Sequence, residues 1–159
     1  VSELLEIGKK APLFTLKNQK GKKIALKDFI NKKNVVLYFY PKALTPGCTT
    51  QACGIRDSKD QFKKLKTVVL GISTDEIEKL QRFEEKKDLN FDLLSDNDHQ
   101  VAEIYKVWAP KKLFGKEFLG VRRITYIIGK DGKIKHVISK VKASSHHDDV
   151  IKFIQDNLA

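Results

Sequence analysis

The only two cysteines of the chain, Cys48 and Cys53, lie five residues apart in the run Pro41-Lys42-Ala43-Leu44-Thr45-Pro46-Gly47-Cys48-Thr49-Thr50-Gln51-Ala52-Cys53. A strongly apolar segment, Val35 to Tyr40, precedes this run. Both thiols therefore sit at one strand-to-helix junction. A free thiol titrating near ~8.5 is only about 3% thiolate at pH 7, and the thiolate is the nucleophile. A helix start raises that fraction, because it carries partial positive charge and N–H groups with no intrahelical acceptor. Pro46 suits the first turn of a helix, which places Gly47 and Cys48 in that turn. Gly47 lets a small substrate approach the backbone. The Thr45 hydroxyl can donate to, or accept from, groups at the sulfur. The polar or small neighbours Thr45, Gly47, Thr49 and Thr50 are unlike the lining of a structural thiol.

The spacing to Cys53 carries a second inference. On a regular helix, residues five apart are separated by ~7.5 Å along the axis and about 140° around it, which puts their Cα atoms roughly 8.7 Å apart. A disulfide requires less than ~7 Å. The two thiols can react with each other only if the helix start unwinds. Gly54, beside Cys53, lowers helix stability by ~1 kcal/mol relative to Ala, which is consistent with such a step. The pair is not a Cys-x-x-Cys dithiol. It is also poor for zinc, since His99, His136, His146 and His147 are distant in sequence. His146-His147, before the last helix, reads as surface capping or solvation, and no metal is expected.

The surrounding pattern supplies elements to position these thiols. Leu13–Leu16 and Ile24–Leu26, joined across Asn18-Gln19-Lys20-Gly21, read as an N-terminal β-hairpin behind a lead-in of residues 1–12. A single helical turn follows over 26–30. Asn34–Tyr40 and Thr67–Ser73 lack alternation and suit strands buried on both faces. Ala52, Ile55, Phe62 and Leu65 predict a helix over 46–64. Thr74-Asp75 resembles an N-cap for a helix carrying Ile77, Leu80 and Phe83. A short strand over 91–94 and a helix over 96–106 follow. Residues 107–119 show no clear period and read as a loop. Strands over 123–128 and 133–139 flank Gly129-Lys130-Asp131-Gly132, and Ser144/Ser145 can cap a final helix. Alternating strands and helices predict an α/β fold with a central mixed β-sheet flanked by helices. Sites in such sheets lie beyond the carboxyl ends of strands, which is where Cys48 falls.

A length of 159 residues fits one domain, taken as 1–159. The net charge of +11, from 31 Lys+Arg against 20 Asp+Glu, admits a polyanion partner in principle. The lysines are spread over the whole length, mostly at turns and polar helix faces, so they read as solvated surface, with no nucleic acid or membrane partner expected. No apolar stretch approaches the ~20 residues of a membrane helix. Two cysteines are too few for a disulfide scaffold, so a reducing, cytoplasmic setting is expected, without excluding a removed organellar targeting peptide.

Pro41-x-x-x-Thr45-x-x-Cys48 resembles the active-site signature of peroxiredoxins. The fuller run Phe39-Tyr40-Pro41-Lys42, Thr45-Pro46-Gly47-Cys48-Thr49, Ala52-Cys53 and Arg56-Asp57 is similar to the bacterioferritin comigratory protein, or peroxiredoxin Q, subfamily. Similarity extends over essentially the whole chain, through Gly71-Ile72-Ser73, Arg123-x-Thr125-Tyr126-x-Ile128, and Val141-Lys142 through His146 and Val150. The resemblance implies a thioredoxin-like fold and reduction of hydrogen peroxide and alkyl hydroperoxides, with no cofactor. It makes Cys48 the peroxidatic nucleophile and Cys53 the resolving cysteine. Thr45 would orient the peroxide, Arg123 would stabilise the thiolate and the peroxide oxygen, and Pro41 and Gly47 would shape the substrate site. It implies an intramolecular disulfide, recycling by thioredoxin with glutaredoxin as a second dithiol donor, and a monomer. A redox sensor or disulfide relay using the same cysteines is the alternative. Arg122 and Arg123 compete for the arginine role. Adjacent strand residues face opposite ways, and the family pattern selects Arg123. Arg56, two turns along the helix, is weaker. Ala43-Leu44, Gln51, Ile55 and Gly129 depart from the usual residues of the subfamily, and the first two bear on local charge.

Overall fold

The computed structural model describes residues 4–158, so the first three residues of the expected lead-in lie outside it. The chain runs β1 (Thr15–Asn18), β2 (Lys23–Ala25), a 3-10 turn (Leu26–Asp28), β3 (Asn34–Phe39), α1 (Pro46–Asp57), α2 (Lys59–Lys64), β4 (Thr67–Ser73) and α3 (Ile77–Lys87). It continues with β5 (Asp92–Ser95), α4 (Gln100–Ile104), β6 (Trp108–Leu113), β7 (Lys116–Val121), β8 (Ile124–Ile128), β9 (Ile134–Ile138) and α5 (His146–Asn157).

Seven strands form one mixed sheet in the order β2-β1-β5-β4-β3-β8-β9. β3, β4 and β5 are parallel, while β8 joins β3 antiparallel. Every residue of β3 is buried, because both faces of the sheet are covered. Val35, Leu37 and Phe39 face one core layer with Leu70, Ile72, Tyr105, Ile124 and Tyr126. Val36, Tyr38 and Tyr40 face the other with Cys48, Ala52, Ile55, Phe83, Val150 and Ile154. α1 and α5 thus lie over the same face of β3, and the site forms where they meet. The N-terminal hairpin is part of the sheet, since β1 pairs with β5.

Several expectations change. The helix predicted over 46–64 breaks at Ser58, whose φ of −102° and ψ of 9° leave the helical region, and α2 restarts after it. Residues 107–119 are not a loop. They supply β6 and most of β7, paired from Trp108↔Val121 to Leu113↔Lys116. Phe114 and Gly115 at the tip both have positive φ, as a tight two-residue hairpin requires. The ribbon stands off the main sheet and leaves Phe114, Phe118 and Leu119 exposed, which erased the periodic signal. α4 is shorter than predicted. The Asp96 carboxylate accepts the N–H groups of Val101 and Ala102, at 3.1 and 2.7 Å, from outside the helix. α3 starts at Ile77, with Glu76 rather than Thr74 or Asp75 in the cap position.

Candidate active site

The chain leaves the carboxyl end of β3 through Tyr40, whose N–H still reaches Ile72 O at 3.0 Å, and turns at Pro41. The loop that follows is anchored from β4. The Asp75 carboxylate accepts the Ala43 N–H at 2.7 Å and the Ser73 hydroxyl at 2.8 Å, and its other oxygen lies 3.5 Å from Lys79 Nζ. Asp75 is therefore a loop anchor rather than a helix cap. Leu44, with φ of 68°, makes the reversal into α1. Thr45 occupies the cap position in extended backbone, with Pro46 first in the helix. The Thr45 hydroxyl does not cap. It donates to Lys42 O at 2.7 Å, and the first helical bond runs from Thr49 N–H to Thr45 O at 2.9 Å. Among the described residues, the N–H groups of Gly47 and Cys48 have no acceptor, so the positive end of the helix opens onto the site.

Cys48 is 2% exposed, and Arg123 Nη2 donates to its sulfur at 3.3 Å. The sheet explains that meeting. β8 runs antiparallel to β3 with Phe39 opposite Ile124, so the residue before Ile124 stands beside the strand end that feeds α1. A Cβ on Gly47 would come within 3.3 Å of Arg123 Nη2, so a larger residue there would push the guanidinium aside by a few tenths of an ångström. Arg122 points the other way. Its N–H bonds Val107 O at 2.8 Å, and its charge acts on Tyr126 in the opposite core layer. Arg56 is committed to Asp57 and to Lys87 O, at 2.9 and 2.6 Å.

Behind Arg123 stands a polar chain that sequence reasoning missed. Arg123 Nη1 donates to Gln51 Oε1 at 2.6 Å, Gln51 Nε2 meets His146 Nδ1 at 3.2 Å, and His146 Nε2 meets Thr125 Oγ1 at 2.8 Å. Gln51 and Thr125 are fully buried and His146 is 1% exposed. The surface reading of His146 is thus corrected: α5 begins at this residue and lays its ring against α1 and β8. Burial, then the charges of His147 and Arg123, pull the imidazole down to about 4. His147, its neighbour, covers Gly54. A Cβ there would overlap the His147 ring, coming within 2.8 Å of Cε1. Gly54 is therefore required by helix packing, whatever it contributes to unwinding. The available signals for His146 were its place in the family resemblance and Ser145, which does occupy the cap position of α5 but turns its hydroxyl to Asp149 at 3.2 Å.

β6 adds a second cation. Half-buried Lys111 packs its stem where Gly120 lacks a side chain. Burial, then the nearby Arg123 charge, hold its ammonium below the ordinary value, while Cys48 acts in the opposite sense. Both cysteines are free, Cys48 buried and Cys53 half-buried, and both lie inside an unbroken α1.

Among the described residues no helix is long and apolar enough to cross a membrane. The AhpC/TSA family model matches residues 7–137. Peroxiredoxin Bcp of Escherichia coli is 52% identical over 153 residues, covering 96% of this chain and 97% of that protein. Peroxiredoxin Bcp of Bacillus subtilis is 45% identical over 152 residues, covering 96% of each. Peroxidoxin BcpB from Mycobacterium tuberculosis superimposes with a TM-score of 0.86 at 33% identity, over 98% of this chain and 99% of that one. A cysteine-to-serine variant of Xylella fastidiosa peroxiredoxin Q gives a TM-score of 0.93 at 26% identity, over 99% and 100%. With its thiol at the start of α1 beneath an arginine from the head of β8, this chain belongs to the AhpC/TSA family, among the thioredoxin-fold peroxiredoxins of the bacterioferritin comigratory protein and peroxiredoxin Q type.

Proposed function

We propose that the protein is a thiol peroxidase in which Cys48 reduces hydrogen peroxide and alkyl hydroperoxides and Cys53 resolves the product. The observation that carries this reading is the Arg123 guanidinium, 3.3 Å from a Cys48 sulfur in the first turn of a helix. A buried thiolate needs a fixed positive partner, and here it has one beside the positive end of a helix.

The Cys48 thiolate attacks the terminal peroxide oxygen. The S–O bond forms and the O–O bond breaks, and the leaving oxygen departs as water or alcohol after taking a proton. Cys48 loses two electrons to the peroxide and becomes a sulfenic acid. The free N–H groups of Gly47 and Cys48, with Arg123, face the oxygen on which charge develops. The Thr45 hydroxyl, its hydrogen committed to Lys42 O, has lone pairs left to accept the peroxide O–H. Pro41 turns the loop that carries these groups.

Resolution requires α1 to open, because a regular helix holds residues five apart at roughly 8.7 Å between Cα atoms. The Cys53 thiolate then attacks the Cys48 sulfur, a disulfide forms and water leaves. The family resemblance favours closing this bridge within one molecule, so that a monomer suffices. Thioredoxin, or another cytoplasmic dithiol, restores both thiols by exchange. Sustained NADPH consumption with thioredoxin, its reductase and peroxide tests the assignment. Turnover that disappears in Cys48→Ser is expected, and normal turnover by that variant would refute it. A single oxidation without turnover would indicate a sensor instead.

A further inference from the structure

The polar chain behind Arg123 has only one consistent proton arrangement. A guanidinium can donate but not accept, so Gln51 must present its oxygen to Arg123 Nη1. Its amide nitrogen then faces His146 Nδ1, which must be bare to accept. A neutral imidazole with a bare Nδ1 carries its proton on Nε2, and that proton is donated to Thr125 Oγ1. Burial keeps the ring neutral, so no second proton disturbs this order.

We propose that His146 is a positioning residue for the chemistry at Cys48: its bare Nδ1 fixes the Gln51 amide so that the oxygen always faces Arg123. This inference rests on the reading of Cys48 as the attacking thiolate. An amide free to flip would turn its NH2 group onto the guanidinium and displace Arg123 Nη2 from the sulfur. With its proton on Nε2, His146 rewards only the productive orientation. Because Gln51 is neutral, the arginine charge is not shared with a buried carboxylate and acts on Cys48 undivided. The chain ties together α1, the head of β8 and the first residue of α5, so the thiol end of α1 is referred to two rigid elements.

The proton placement is read directly by long-range proton–nitrogen NMR of the histidines in the reduced wild-type protein. The expected result is a neutral Nε2–H tautomer for His146 at neutral pH, and in Gln51→Glu a shift of the proton to Nδ1 or an imidazolium. An Nδ1–H tautomer in the wild type overturns the proposal. Stopped-flow oxidation of Cys48 by hydrogen peroxide supplies the kinetic arm. His146→Phe keeps ring volume but loses both hydrogen bonds, and slows single-turnover oxidation on the order of tenfold. His146→Asn, whose side-chain oxygen can accept from Gln51, recovers most of that loss, while reduction of the preformed disulfide by dithiothreitol is unchanged in both. Equal oxidation rates in wild type and folded His146→Phe would overturn the positioning role. The NMR result does not depend on peroxide reactivity, so it stands or falls separately from the peroxidase assignment.

Discussion

The two halves of α1 are built differently, although one helix contains both cysteines. The Cys48 end is tied by polar contacts to four other places: Asp75 through the preceding loop, Arg123 before β8, Thr125 within β8, and His146 at the head of α5. The Cys53 end relies more on shape: Gly54 lies flat on His147, and the polar contacts, Arg56 to Lys87 O and Asn90 to Arg56 O, fall beyond the thiol rather than on it. The first half must hold a buried sulfur against a cation within hydrogen-bond distance, which needs directional contacts. In the proposed mechanism the second delivers its thiol to the first after local unwinding. A thiol with no polar contact of its own can be released and remade at small cost.

Four measurements would break or sharpen that contrast. The largest effect is expected at the braced end. Arg123→Met should slow the first oxidation of Cys48 by on the order of 10²–10³-fold, the range for removing one donor to developing charge. Stopped-flow fluorescence or competition kinetics would read it, and a loss below tenfold would assign the charge stabilisation to the helix start or Lys111 instead.

Next comes acid stability. His146 is neutral in the folded protein down to about 4, against an unfolded value of 6.5. Between those values the unfolded chain binds the extra proton and the folded chain does not, so stability falls as pH falls and levels off below about 4. The difference corresponds to about 3 kcal/mol. Urea unfolding across this window should lose that acid limb in His146→Phe.

Gly54→Ala tests the shape-held end. The new methyl adds ~1 kcal/mol of helix propensity but must displace the His147 ring, an overpacking cost of ~1–3 kcal/mol. A net loss of about 1 kcal/mol in urea unfolding of the reduced protein is expected. In a His147→Ala background the sign should reverse to a gain of about 1 kcal/mol, because only the propensity remains.

The smallest effect on the first oxidation is expected from Cys53→Ser, within about twofold, since no contact braces Cys48 through Cys53 and uncoupled sites act independently. Its signature appears later, as persistent sulfenic acid and faster over-oxidation detected by mass spectrometry. A first step slowed as much as in Arg123→Met would erase the distinction between the two halves.

Much of this site was legible from local chemistry. Pro46 and Gly47 announce a helix start, Cys48 sits in its first turn, and the apolar run before it announces a buried strand. Those are short-range signals carried by backbone geometry and side-chain polarity within a dozen residues. The choice of Arg123 over Arg122 needed the family pattern as well, and the structure places Arg123 on the sulfur because β8 pairs antiparallel to β3. The β6–β7 ribbon was missed because a hairpin off the main sheet buries little on either face and leaves no alternation to read.

The sequence by itself determined that two thiols share one helix and cannot bridge while it is intact, since helix pitch and disulfide reach follow from covalent geometry alone. Only the tertiary structure decided what surrounds the first of them. Gln51, Thr125 and His146 are separated by up to 95 positions, and no local pattern marks a histidine before a helix as buried. Their meeting depends on α5 folding back over the face of the sheet that α1 covers, and that contact turns three ordinary polar residues into the support of the arginine on Cys48.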